Sequence, residues 1–294
     1  MSFPLAPLIA LVGPTGSGKS ALGVKLAKRF AGEVLACDST QVYRGFDIGT
    51  AKPTAAERAL APHHLLDFLD PEETFTAGGY RLRAIAVLED LRNWGRLPIL
   101  TAGTGLYLRA LLEGLADAPM RSEELRARLM RRAECNRPGY LHRLLARMDP
   151  IAAARIALQD TPKLVRAIEV SVLAGKPITE VHRAGAKSLE GFRAIKIGLN
   201  PQRTALYERI ERRTLDMVDR GWVAEIRALL ARGVPPAAKP FSFIGYPQLR
   251  AHLEGGMELP AAIAAIQQAT SRYAKRQVTW FRKEPGVRWI EGFG

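Results

Sequence analysis

Gly13-Pro14-Thr15-Gly16-Ser17-Gly18-Lys19-Ser20 is the stretch that decides the fold. Its spacing is that of a phosphate-binding loop: Gly, four residues, Gly, Lys, then Ser or Thr. Before it, Leu8-Ile9-Ala10-Leu11-Val12 is a short apolar run suited to a buried parallel strand. After it, Ala21 to Lys28 has helical spacing. Glycines let successive backbone N–H groups turn inward around phosphate oxygens, and the helix N-terminus adds a field that favours an anion. Lys19 supplies a point charge, and Ser20 a hydroxyl for a phosphate or its Mg²⁺. The expected fold is therefore α/β: a P-loop NTPase-like parallel sheet flanked by helices.

Working outward, Glu33-Val34-Leu35-Ala36-Cys37 reads as a second strand that runs into Asp38-Ser39-Thr40-Gln41-Val42-Tyr43. Ligands of open α/β sheets gather at the carboxyl ends of strands, so Asp38 is expected at the crevice of the phosphate loop. A carboxylate there orients Mg²⁺, takes a proton from a nucleophile, or caps the next turn. Leu97-Pro98-Ile99-Leu100 is a third strand, followed by Gly103-Thr104-Gly105 on a strand-to-helix turn. Its small residues let backbone N–H groups and the Thr104 hydroxyl approach a ligand. Arg44 to Thr54 has neither period and reads as an ordered loop. His63-His64 has no third ligand at useful spacing, which favours packing or hydrogen bonding over a metal.

The 294 residues carry 47% hydrophobic residues, ample for one large domain with a smaller insertion. Two cysteines, Cys37 and Cys135, form no framework, and both are expected as small buried hydrophobes. No run of about 18 apolar residues and no leader pattern is present, so a soluble cytoplasmic protein without membrane contact is expected. Forty-three Lys and Arg against 29 Asp and Glu give a net charge of +14, a field suited to a nucleic-acid partner.

Met120 to Asp149 is Arg-rich and helical, broken at Arg137-Pro138-Gly139. It is either a solvated face or a nucleic-acid surface. The expected organisation is a core of residues 1–117 and 161–294 with a helical insertion over 118–160. Asp160-Thr161-Pro162 starts a further helix, and Thr204 to about Arg232 is a long helical stretch interrupted at Gly221. In Phe241 to Pro247 aromatic residues surround Gly245, which suits close packing or stacking. The last helix carries Arg272, Lys275, Arg276, Arg282 and Lys283 interleaved with Tyr273, Trp280 and Phe281. Basic and aromatic residues together grip a phosphate backbone and stack on bases.

With these segments in view, the chain resembles the bacterial tRNA dimethylallyltransferase (tRNA isopentenyltransferase) family over nearly its whole length. Besides the phosphate loop, the matching segments are Asp38 to Tyr43, Asp47-Ile48-Gly49-Thr50-Ala51-Lys52-Pro53, and His63 to Asp67. They continue in Gly103 to Tyr107, Arg166 to Val170, Ile244-Gly245-Tyr246, and Lys275 to Trp280. The segment from Asp47 to Pro53 is far more specific than any phosphate loop. The resemblance implies transfer of the dimethylallyl group of dimethylallyl diphosphate to N6 of the adenosine 3′ of the anticodon, with release of diphosphate. It implies that Gly13, Pro14, Thr15, Gly16, Ser17, Gly18, Lys19, Ser20 and Arg166 hold the diphosphate, with Mg²⁺ on Ser20. Asp38 matches the general base, and Thr104 the residue beside the target base. The anticodon stem-loop is expected on Asp38, Ser39, Thr40, Gln41 and Thr104, on Pro162, Lys163, Leu164, Val165 and Arg166, and on Ser242, Phe243, Ile244, Gly245, Tyr246 and Pro247. The last helix adds Lys275, Arg276, Gln277, Trp280 and Arg282. Family members typically act as monomers.

Three departures stand out. Thr40 occupies a position where the family often has Met or Ala, Pro247 one where it often has Arg or Lys, and the zinc-finger tail of eukaryotic members is missing, so no zinc is expected. Two rival readings share the phosphate loop: a small-molecule kinase, and an RNA-binding protein switched by a nucleotide. A small-molecule kinase has no need of the basic, aromatic last helix.

Overall fold

In the structure, a computed structural model describing residues 5–183 and 185–294, the apolar run before the phosphate loop is strand β1 (Ala6–Val12). It is followed by β2 (Gly32–Cys37), β3 (His63–His64), β4 (Leu97–Ala102), β5 (Phe192–Asn200) and β6 (Val287–Glu291). All pairings are parallel, in the order β3-β2-β4-β1-β5-β6. The apolar runs are near-continuous because both faces of the sheet are covered. Leu8, Ala10 and Val12 face a cluster with Tyr80, Ala84, Leu88 and Leu91 of the helix Ala77–Asn93. Leu11 faces the opposite way, toward Val24 and Ala27 of the helix Lys19–Phe30.

The register matters more than the order. Val12 pairs with Ala102, and Ala102 with Cys37. Strand β4 has entered between β1 and β2, so the three strands end on one rung. The phosphate loop, the Gly103 turn and Asp38 all start from it.

The chain divides into two compact units, Met1–Leu112 with Leu189–Gly294, and Glu113–Ser188. The second is wider than the 118–160 span expected from composition. Leu164, Val165, Ala167, Ile168 and Val170 of the helix Thr161–Ala174 share a core with Leu125, Leu129, Leu141 and Leu145. Arg content marked only part of that unit; its apolar stripes mark the rest. Asp160 caps Thr161–Ala174, its carboxylate accepting from Lys163 N–H at 3.4 Å. Cys37 is buried, as expected, but Cys135 is exposed at the end of Glu123–Glu134 because it sits outside that helix's apolar stripe. His64 Nε2 donates to the Glu33 carboxylate at 2.6 Å, and His63 Nδ1 to the Ala61 carbonyl at 2.8 Å.

The polar centre of the helical unit is Glu169, whose side chain is fully buried. Its carboxylate accepts from Ser122 N–H, from two nitrogens of Arg126 and from Arg166, each at 2.8 Å. Burial alone would raise its pKa, but the two guanidiniums and the Ser122 N–H hold it down at about 2, from 4.5. A depressed carboxylate contributes stability that is complete above its unfolded value and lost as pH falls through the folded one. Glu169→Gln should therefore destabilise the helical unit by about 2 kcal/mol at neutral pH, with the deficit shrinking between pH 4.5 and about 2. Denaturant titrations of both proteins across that range would check it.

Candidate active site

Gly13, Gly16 and Gly18 have φ of 141°, 81° and 93°, the left-handed and extended positive region that lets the loop fold its N–H groups inward. Gly18 leads into the helix Lys19–Phe30. Lys19 is folded back over the loop, its Nζ donating to the Gly13 and Pro14 carbonyls at 2.8 Å each. Burial pulls its pKa down to about 7; Asp38 opposes that shift and Arg213 adds to it. An anion in the loop would restore its charge. Ser17 Oγ is buried with no hydrogen-bond partner in the protein, which leaves the loop an unused donor. Ser20 is exposed on the first turn.

Arg213 was not among the residues expected from sequence. Its Nη1 donates to Thr15 Oγ1 at 3.3 Å, and burial lowers its pKa. The signal was there to read: Leu206, Ile210 and Met217 form the buried stripe of Arg203–Asp219, and position 213 falls on it. A guanidinium on an apolar stripe beside a phosphate loop is a candidate anion ligand.

On the same rung, Asp38 Oδ1 accepts from Thr40 N–H at 2.8 Å and from Thr40 Oγ1 at 2.7 Å. Its Oδ2 lies so close to Gly103 that a Cβ there would overlap it. The Gly103 and Thr104 N–H groups both donate to the Cys37 carbonyl, at 3.1 and 3.0 Å. Thr104 Oγ1 accepts from Ser39 N–H at 3.0 Å and donates to Ser39 Oγ at 3.2 Å. Burial pushes the Cys37 thiol up to about 12, which leaves it a neutral packing group below the carboxylate.

The Asp47–Pro53 segment is a lock for this neighbourhood. Lys52 is buried and donates to Tyr43 O, Asp47 and Asp67. Glu225, a second residue not expected, accepts from the N–H groups of Asp47, Ile48 and Gly49 at 2.9, 2.6 and 3.4 Å, and from Tyr246 OH at 2.8 Å. Gln41 donates to Thr50 O and Ala51 O at 3.3 and 3.1 Å, joining the lock to the loop after Asp38.

Some residues expected on RNA face inward instead. Tyr246 is fully buried among Phe46, Trp222 and Phe241, and a Cβ on Gly245 would overlap Trp222. Close packing, not stacking, is the role of that pair, while Ser242 and Pro247 stay exposed. Leu164 and Val165 belong to the core of the helical unit, where Arg166 also donates to the Pro119 carbonyl at 3.1 Å and Lys163 pairs with Asp160. Gln277 is buried, with Oε1 accepting from Thr15 N–H and Nε2 donating to the Gly103 carbonyl. Each inward turn has one cause: the position lies on the apolar stripe of its helix or turn.

The other side of the helix Leu259–Phe281 is the basic face. Arg109, Lys275, Arg276, Thr279, Trp280 and Lys283 line an open groove of about 440 Å³. Arg109 lies over the Trp280 ring at 5.1 Å, and Gly105 has no side chain because the indole rests against it.

A family model described as IPP transferase matches residues 41–284, and one described as isopentenyl transferase matches residues 6–67. A tRNA dimethylallyltransferase of Koribacter versatilis is 54% identical over 294 residues, covering 100% of this chain and 95% of the relative. One from Geobacter metallireducens is 44% identical over 284 residues, covering 97% and 92%. The solved tRNA isopentenylpyrophosphate transferase of Bacillus halodurans superposes with a TM-score of 0.70 at 38% identity, covering 97% of this chain and 89% of its own. A eukaryotic dimethylallyltransferase, captured acting on tRNA, superposes with a TM-score of 0.84 at 26% identity, covering 97% and 74%.

The lock can be tested alone. Glu225→Gln removes the charged acceptor of three amides and should cost about 2 kcal/mol of stability. It should also speed proteolytic cleavage within residues 47–53. Urea unfolding and timed proteolysis indistinguishable from the native protein would show that the loop holds itself.

Proposed function

The chain belongs to the IPP transferase family, with the tRNA dimethylallyltransferases as its relatives, and from that premise we propose what its residues do. It transfers the dimethylallyl group of dimethylallyl diphosphate to N6 of the adenosine 3′ of the anticodon in tRNA, releasing diphosphate. The observation that carries this reading is the shared rung of Val12, Ala102 and Cys37, which sets an anion cradle and a carboxylate side by side.

The N6 lone pair forms the new C–N bond as the allylic C–O bond breaks, and the C–O electron pair leaves with the diphosphate. Adenine N6 is a very weak acid, so its proton passes to Asp38 during or after attack. Oδ1 is occupied by Thr40, which leaves Oδ2 as the accepting oxygen. Charge grows on the departing diphosphate, and preorganised donors meet it: loop N–H groups, Ser17, Lys19 and Arg213. The adenosine is flipped out of its stack to reach Thr104 and Asp38. The groove of Arg109, Lys275, Arg276 and Trp280 takes the RNA backbone and a neighbouring base.

Mg²⁺ fits the donors present. The Ser20 hydroxyl is a hard oxygen ligand, and no group of three His, Cys, Asp or Glu forms a full protein cage among the described residues. That suits an ion taking most ligands from phosphate and water. When bound, it neutralises diphosphate charge. The same reading has the enzyme working as a monomer in the cytoplasm. Among the described residues no helix is long and apolar enough to cross a membrane.

Labelled dimethylallyl diphosphate, Mg²⁺ and unmodified tRNA test the reaction directly. Label on tRNA adenosine supports it; phosphate moved from ATP to a small molecule instead would return the chain to the kinase reading. Asp38→Asn should lower transfer about 10³-fold while stem-loop affinity stays within about twofold. Collapse of RNA binding would make Asp38 an RNA ligand. Arg276→Glu should weaken stem-loop binding and flatten its salt slope by about one.

A further inference from the structure

Gln277 sits on the helix that carries the basic groove, yet its side chain points into the protein and is 6% exposed. Tyr273 and Phe281, one turn to either side, share that inner face. Gln277 Oε1 accepts from Thr15 N–H at 2.7 Å, and Nε2 donates to the Gly103 carbonyl at 2.8 Å. The partners fix the amide's orientation, because an N–H only donates and a carbonyl only accepts. Among side chains of this length only a primary amide satisfies both at neutral pH.

The two atoms it joins belong to the two halves of the reaction. Thr15 is in the diphosphate cradle, and its hydroxyl receives Arg213. Gly103 is the residue against which Asp38 Oδ2 rests. Strand pairing joins the cradle's strand to that turn's strand as far as Val12 and Ala102, and Tyr273 OH also donates to the Gly103 carbonyl, at 3.4 Å. Resting on the transfer reaction proposed above, we propose that Gln277 is a positioning residue that fixes the distance between the leaving-group cradle and the base. It also uses up the Thr15 N–H, so the cradle binds its anion with the remaining loop amides.

Gln277→Met keeps the length and removes both bonds. Turnover should fall about 100-fold, the order produced by a misplacement near 1 Å. Inorganic pyrophosphate with Mg²⁺, titrated without RNA, should bind about tenfold more weakly. Affinity for an unmodified anticodon stem-loop should stay within about twofold. Gln277→Glu gives a sharper readout. Its carboxylate still accepts from Thr15 but repels the Gly103 carbonyl, whereas the protonated acid donates to it. The variant-to-native turnover ratio should therefore rise as pH falls from about 8 to about 5.5.

Weakened stem-loop binding with pyrophosphate affinity intact would make Gln277 an RNA contact and overturn the proposal. So would unchanged constants throughout, or a general loss that follows Tm with a ratio flat in pH. If the native enzyme itself transfers no label to tRNA, the reaction assignment fails instead, and the native control shows that before any variant is read.

Discussion

The insertion of β4 between β1 and β2 is the constraint on which the rest depends. A parallel sheet ends all its strands toward one edge, but only matched register brings three of those ends level. Here the ladder places Val12, Ala102 and Cys37 in line. The residues that follow each strand then have almost no chain in which to wander. Hydrogen bonds from Gly103 and Thr104 to the Cys37 carbonyl close the gap between two of them. Gln277 closes the gap to the third. The geometry of the crevice is thus mostly backbone geometry, and side chains finish it.

Much of this was legible in the sequence. The phosphate loop with its flanking strand and helix, Asp38 at a strand end and the Gly103 turn all follow from local pattern. What local pattern could not supply was partnership at a distance. Arg213, Glu225 and Gln277 hold the cradle, the Asp47 segment and the Gly103 turn from 174 to 262 positions away. Each lies on or beside the stripe of its helix that packs inward, where a polar side chain is out of place unless something receives it. A composition reading counts such residues as polar surface. The same blindness hides the burial of the Tyr246, Leu164 and Val165 side chains, which sit close in sequence to exposed Pro247 and Lys163. It also explains the narrow 118–160 estimate, since arginine content is a surface property and domain limits are set by the core.

The segment from Asp47 to Pro53 teaches a related point. It is the most specific stretch in the chain, yet its groups are occupied with one another and with Glu225. Its lysine is buried between two aspartates and a carbonyl, with nothing left to offer a substrate. Specificity of sequence here records how many bonds must be satisfied to hold one loop shape. The carboxylate proposed to take the proton is that of Asp38, and the segment is joined to the turn after it through Gln41.

Of the two thiols, one is sealed beneath the carboxylate and the other stands open on the helical unit. A maleimide dye would meet Cys135 and leave Cys37 untouched, since the buried thiol is both inaccessible and held protonated. The natural protein therefore already carries a single attachment point for a fluorophore or spin label. It lies in the unit that composition alone could not delimit, so that unit can be labelled without engineering a cysteine in or out.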